Sequence, residues 1–315
     1  MTLTSVAMRN AFGEALLALA PEHPEMVVLD ADVATSTRTA GFGKKHPGRF
    51  FNVGVAEANM VDIAAGLATC GLRPVVSTFA VFLTLKAADQ VRNIICYSNL
   101  PVILGGNYAG LSDSYDGASH QSILDVSIMR AMPNMAVIVP ADSIELRQAL
   151  ELALQRSGPT YIRICRNATP VLFEDAPPLQ FGRIRKVQDG NDVTIAVCGV
   201  PTSMAIEAAQ RLARRGVSVD LLEVSTIKPI DSGAVIASAR KTGKVLTVEE
   251  HTIKGGLGSA VAETLAAFAP AVMRFIGIHD TFTESGDYMA LLYKYGISAD
   301  HIEAEALSLA GGGAK

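Results

Sequence analysis

A chain of 315 residues is long for one hydrophobic core, and two α/β domains are its natural division. Its net charge of -4 with no basic cluster argues against nucleic acid as a partner, and 49% hydrophobic against 18% charged residues implies a surface covered by other subunits. Cys70, Cys96, Cys165 and Cys198 lie scattered in apolar stretches with no Cys-x-x-Cys or zinc spacing, so buried reduced thiols in a cytoplasmic protein are expected.

Taken in order, the pattern predicts a helix over 5–20, closed by Pro21, with Arg9 and Glu14 inside its apolar face. Those charges make it an amphipathic helix rather than a signal peptide, and no uncharged run is long enough to span a membrane. A strand over 26–29 ends in Asp30-Ala31-Asp32, and a second apolar run over 50–53 stops at Gly54. From Ala56 the spacing of Met60, Ile63, Ala64 and Leu67 is helical, and Glu57 stands at the start of that helix. Next come a strand over 74–79, a helix over 85–96, a strand over 102–104 and a Gly/Asn/Ser/Asp loop over 105–120. After a further helix there follow a strand over 136–139, a helix over 143–156 capped by Asp142, and a strand over 161–164. Fully apolar strands alternating with helices imply a parallel sheet covered on both faces.

The alternation lapses over 169–188, where Pro170, Pro177 and Pro178 suggest a linker. The expected division is therefore a first domain over 1–170, a linker over 171–188 and a second domain over 189–315. In the second domain the strands are expected over 193–198, 217–222, 244–248 and 272–278. The helices are expected over 203–215, after Pro229 and over 258–268, with short helices following and a frayed Gly-rich tail over 310–315. The fold class is thus α/β, as two doubly wound domains.

Ligands gather at the C-terminal ends of strands in open parallel sheets. In the first domain those ends carry Asp32, Ser36, Glu57, Phe79, Phe82, the loop from Asp116 to His120, and Arg166. Together they suit a flat heteroaromatic ligand whose ring nitrogen meets the acid while an anionic group reaches Arg166. Each also has an ordinary explanation. Glu57 could be a first-turn acid favoured by the helix dipole, the phenylalanines could be core, and Asp116-Gly117 could be a turn. Gly255-Gly256-Leu257-Gly258 lacks the full dinucleotide fingerprint and reads as a turn opening a helix. No phosphate-binding P-loop, His-Glu-x-x-His or Gly-x-Ser-x-Gly motif is present.

The run Val53-Gly54-Val55-Ala56-Glu57-Ala58-Asn59-Met60, with Ala64-Ala65-Gly66-Leu67-Ala68 and Thr78-Phe79-Ala80-Val81-Phe82, resembles the pyrimidine-binding domain of transketolases. The related deoxyxylulose-phosphate synthases share much of it. Asp30-Ala31-Asp32 with Ser36, Tyr115-Asp116-Gly117-Ala118-Ser119-His120-Gln121 and Cys165-Arg166-Asn167 match further family motifs in order, so the resemblance spans essentially the whole chain, C-terminal domain included. Full-length transketolases also carry an N-terminal domain that holds the diphosphate of thiamine diphosphate through Mg2+, signed by Gly-Asp-Gly, and this sequence has no Gly-Asp-Gly. The resemblance therefore implies the C-terminal half of a split transketolase. An N-terminal partner subunit would supply diphosphate, Mg2+ and substrate-binding histidines in an α2β2 heterotetramer.

By the same resemblance, Glu57 bonds the N1′ nitrogen of the cofactor's aminopyrimidine and favours its imino tautomer, and Phe79 and Phe82 flank that ring. A buried carboxyl resists ionisation, which would keep a proton available to share. Asp32 lies toward the thiazolium, Asp116 and His120 bond the hydroxyls and carbonyl of the donor ketose, and Arg9, Ser36 and Arg166 hold its anionic end. Arginine suits phosphate or sulfonate through its forked donors. There are two departures. Tyr108 stands where typical transketolases have a phosphate-binding histidine, and Leu85 where they have a third aromatic, so the anion is expected to differ or to sit elsewhere. The implied activity is transfer of a two-carbon ketol unit from an anionic ketose to an aldose. Two alternatives stay open: the β subunit of a 2-oxoacid dehydrogenase, and a non-catalytic interaction subunit.

Overall fold

The computed structural model describes residues 4–311. Its strands in chain order are β1 (Ser5–Ala7), β2 (Met26–Asp30), β3 (Phe50–Asn52), β4 (Arg73–Phe79), β5 (Ile103–Asn107), β6 (Ala136–Ile138) and β7 (Thr160–Ile164). They continue with β8 (Ala168–Pro170), β9 (Arg185–Gln188), β10 (Val193–Val197), β11 (Val219–Glu223), β12 (Thr226–Lys228), β13 (Lys244–Thr252) and β14 (Val272–Ile278). One sheet has seven strands in the order β12-β6-β7-β5-β4-β2-β3, and a second has five in the order β14-β13-β10-β11-β9. Every pairing from β6 to β3 in the first sheet is parallel, as are those linking β10, β11, β13 and β14 in the second. Among the described residues of these two sheets, antiparallel strands stand at the edges, where β12 joins β6 and β9 joins β11, and β1 and β8 form a separate antiparallel pair.

The apolar strands are buried on both faces, as their composition requires. In β2, Val27 and Leu29 pack into one core while Val28 packs into the other. Val75 and Val76, Ile103 and Leu104, and Tyr161 and Ile162 divide in the same way. Helix Met8–Leu19 covers one face with Phe12 and Leu16, and helix Glu57–Thr69 covers the other with Met60, Val61 and Ala64. Among the described residues no helix is long and apolar enough to cross a membrane.

Several expected boundaries move, each for a physical reason. The first helix begins at Met8 and not at residue 5, because Ser5–Ala7 pair as β1 with β8 and satisfy their backbone through that ladder. The expected loop over 105–120 starts late. Gly105 and Gly106 lie inside β5, where a Cβ on Gly106 would fall 2.6 Å from the ring of Tyr161. The helix expected over 85–96 is three pieces, Ala80–Leu85, Ala88–Gln90 and a π-helical turn Val91–Cys96, and the first follows β4 without a loop.

Within the segment expected as linker, 185–188 form β9 of the second sheet, and β12, which lacks any alternating signature, crosses over to the first sheet. Helix Leu257–Phe268 opens at the Gly-rich turn, and the Glu249 carboxylate fills its N-terminus by accepting from Leu257 N and Gly258 N, both at 2.8 Å. Cys96, Cys165 and Cys198 are buried, and burial pushes the Cys96 thiol up to about 11. Cys70 departs from the expectation and is exposed at a helix end. Ala310 closes the last helix, Ala299–Ala310, and the remainder of the expected tail beyond Gly311 lies outside the described residues.

A candidate cofactor and anion site at the strand ends

Glu57 is the first residue of its helix and is 5% exposed. β3 and the Gly54 turn, at φ 74°, deliver it beside the ends of β2 and β4. Its carboxylate faces the ammonium of Lys86, with Nζ 3.3 Å from Oε1 and 3.4 Å from Oε2. The same Nζ lies 4.2 Å from the centre of the Phe82 ring. A nitrogen-borne positive charge is thus held between an aromatic face and a buried carboxylate. Phe79 closes β4 and Phe82 follows in the next helical turn, so the two rings stack at 5.9 Å and 22°.

Two further side chains complete the aromatic group. Tyr108, immediately after β5, stacks on Phe79 at 4.4 Å, and the His120 ring meets Phe82 edge-on at 5.2 Å. Tyr108 has a left-handed backbone, φ 58°, which turns its ring back over the sheet end. His120 Nδ1 lies 2.9 Å from Ser119 Oγ. Leu85 is exposed and lines a neighbouring groove of about 260 Å3 with Val81, Thr84, Ala118 and Phe282.

On the other side of Tyr108 lie two guanidiniums. The β1–β8 ribbon, continued by Met8 N donating to Asn167 O at 3.1 Å, brings the start of the first helix against the end of β7. Arg9 and Arg166 therefore both approach one tyrosine, 5.7 Å and 5.1 Å from its ring centre. Arg9 Nη1 donates to the Tyr108 hydroxyl, which donates to Ser36 O at 3.4 Å, while Arg9 Nε is buried without a partner among the described residues. Both arginines line a pocket of about 290 Å3 with Ala7, Ser114 and Tyr115.

Arg166 also pairs with Asp113 at 3.3 Å. Burial, then the neighbouring Asp116, pushes the fully buried Asp113 carboxyl up to about 6, against the pull of Arg166 and His120. The folded chain thus keeps a proton that the unfolded chain releases near 3.8. This contribution to stability is full below that value and is lost as pH rises through 6. Asp113→Asn should therefore lose less stability than the wild type between about pH 4 and about pH 7, read as the shift in urea midpoint.

The structure thus brings together Glu57, Phe79, Phe82 and His120 on one side of Tyr108, with Arg9, Arg166 and the backbone of Ser36 on the other. Asp116 is exposed beside Asp113. Asp32 is engaged elsewhere: it has φ 66°, and its backbone N and Oδ1 each bond the Asn52 side chain at 3.1 Å. Sequence reasoning missed Lys86 and Asp113. The spacing of Phe82 and Lys86, four residues apart, was the available signal for the first.

The chain matches the model of the transketolase pyrimidine-binding domain over residues 4–171 and that of the transketolase C-terminal domain over 182–302. It is 40% identical to a protein of Methanocaldococcus jannaschii provisionally named transketolase C-terminal section, over 94% of this chain and 93% of that one. It is 38% identical to the 6-deoxy-6-sulfo-D-fructose transketolase subunit SqwH of Clostridium sp. (strain MSTE9), over 94% and 92% of the two chains. A solved split-gene transketolase, an inactive beta4 tetramer, superposes with a TM-score of 0.89 at 42% identity, covering 98% of this chain and 99% of the other. With both of its domains matched and a Glu57–Phe79–Phe82 site at the end of the first sheet, the chain belongs to the thiamine-diphosphate-dependent transketolase family and corresponds to the C-terminal half of a split transketolase.

Proposed function

We propose that this chain is the C-terminal subunit of a transketolase that moves a two-carbon ketol unit from an anionic ketose to an aldose, and that it works only with an N-terminal partner subunit. One observation carries the proposal: the Lys86 ammonium held between the Glu57 carboxylate and the Phe82 face. That arrangement fits a flat ring presenting an N–H to the carboxylate, as the N1′-protonated or imino form of an aminopyrimidine does. Lys86 is half exposed, so it can turn to water and leave Glu57 to such a ring.

When bound, thiamine diphosphate supplies a carbon nucleophile that takes up the ketol unit. The chain's own residues do the rest. Glu57 holds a proton at the ring nitrogen, and Phe79 and Phe82 fix the orientation of the ring. His120, edge-on to Phe82, would bond ketose oxygens with Asp116, and Asp32 would serve the thiazolium side only by leaving the Asn52 side chain. Arg9 and Arg166, with the Ser36 loop, take the ketose's anionic end. Among the described residues no group of three or more His, Cys, Asp or Glu side chains is arranged to hold a metal, so Mg2+ and the diphosphate are assigned to the partner subunit in an α2β2 assembly. The exposed Val55, Leu85 and Tyr97, at 73%, 53% and 86%, are apolar surface that such a subunit would cover.

The test is reconstitution with the N-terminal chain, thiamine diphosphate and Mg2+. Light scattering should give the mass of an α2β2 complex, and ketol transfer should appear only in the mixture. Decarboxylation of pyruvate with reduction of a lipoyl domain would assign the chain to the 2-oxoacid dehydrogenases instead.

A further inference from the structure

Glu250 belongs to β13 of the second sheet, is 2% exposed, and sends its carboxylate into the first domain. Oε1 accepts from Leu111 N at 2.7 Å, and Oε2 accepts from the Tyr288 hydroxyl at 3.0 Å. One bond leads to the turn that carries Tyr108, against which both arginines pack, and the other to the strand end that carries Arg166. Leu111 ends the turn that begins at Tyr108, in which Gly110 is also left-handed at φ 64°. A Cβ on Gly110 would lie 2.3 Å from Glu250 Oε1, so the carboxylate is packed against the turn itself. The Tyr288 hydroxyl is 3.6 Å from Cys165 Sγ, and Cys165 is bonded in sequence to Arg166.

We propose that Glu250 is a positioning residue for the anion pocket, using one oxygen to hold the Tyr108 turn and the other to hold the Arg166 strand end. The anion is a phosphate or sulfonate on the ketose, so the substrate class rests on the ketol-transfer reading. An ionised carboxylate accepts both bonds. A protonated one can keep both, accepting from Leu111 N through its carbonyl oxygen and donating its O–H to the Tyr288 hydroxyl, but only at the weaker strength of neutral bonds. The groups facing Glu250 are the Arg163 guanidinium, which also donates to Glu250 O at 2.9 Å, with Asp125, Tyr288 and Cys165. Burial pushes the Glu250 carboxyl up to about 7 against the pull of Arg163 and of the two hydrogen bonds. The pocket is therefore held above that pH and loosened below it.

Inorganic sulfate is the probe, because its charge does not change in this range. Calorimetric titration of the full chain should show sulfate bound about tenfold more tightly at about pH 8 than at about pH 6. In Glu250→Gln the affinity should be low at both pH values and should not rise between them, since Asp113, paired with Arg166 and pushed up to about 6, works the other way by competing with sulfate for Arg166 once ionised. Tyr288→Phe, which removes one bond and spares the charge, should lose about threefold at the higher pH, and it serves if the glutamine variant does not fold. In the reconstituted enzyme, Glu250→Gln should raise KM for fructose 6-phosphate about tenfold while leaving kcat and the KM for uncharged erythrulose in place. Sulfate binding that still tightens with rising pH in Glu250→Gln, or that is unmoved in Tyr288→Phe, overturns the proposal. The expected sulfate behaviour in a mixture without ketol transfer would overturn the functional reading and leave the role of Glu250 standing.

Discussion

Glu57→Gln should lower kcat of the reconstituted enzyme by about a hundredfold or more, the range over which a positioned proton-holding group contributes. The amide has the shape of the acid, so stability should change by less than about 1 kcal/mol, since the half-exposed Lys86 can turn to water. Unchanged turnover would show that the chain completes its partner's fold without contributing chemistry. The measurement is steady-state ketol transfer at saturating cofactor, with a urea titration alongside.

Arg163→Met should have the largest effect on stability, a loss of about 3–5 kcal/mol, because it strands a buried carboxylate. Arg163 is 7% exposed and meets Asp125, at 0%, through Nε at 2.8 Å and Nη2 at 3.3 Å. Burial alone would push the Asp125 carboxyl up, yet the guanidinium beside it, then His251, holds it below its usual range. The same Nη2 donates to Ser122 O at 3.1 Å and to Glu250 O, so the side chain also ties the two domains together. Adding Asp125→Leu to Arg163→Met removes the stranded charge and should recover a large part of the loss in urea unfolding. Equal stabilities for single and double variants would contradict this account.

Much of the fold was legible because parallel strands buried on both faces leave near-continuous apolar runs, as in β2, β6 and β10. The approximate place of the site followed from the strand-end rule, which picks out Glu57, Phe79 and Arg166. What escaped depends on distant pairing. Residues 5–7 have helical neighbours and become a strand only because 168–170 pair with them. Gly105 and Gly106 carry a loop signal, yet both lie in β5, where Gly106 serves a close approach by Tyr161. Glu249-Glu250-His251, three consecutive buried polar residues late in β13, went unread, because only the folded chain shows that Glu250 and His251 meet Leu111 and Ser127 of the other domain.

β12 has a consequence for how such a chain can be cut or shuffled. A break within 171–188 would strip the first sheet of its last strand and leave β6 with bare amide and carbonyl groups, an invitation to edge-to-edge aggregation. Either half expressed alone from such a cut should be poorly soluble. A viable exchange of the rear half between relatives would have to place its junction beyond Lys228, so that the donated strand stays with the sheet it closes.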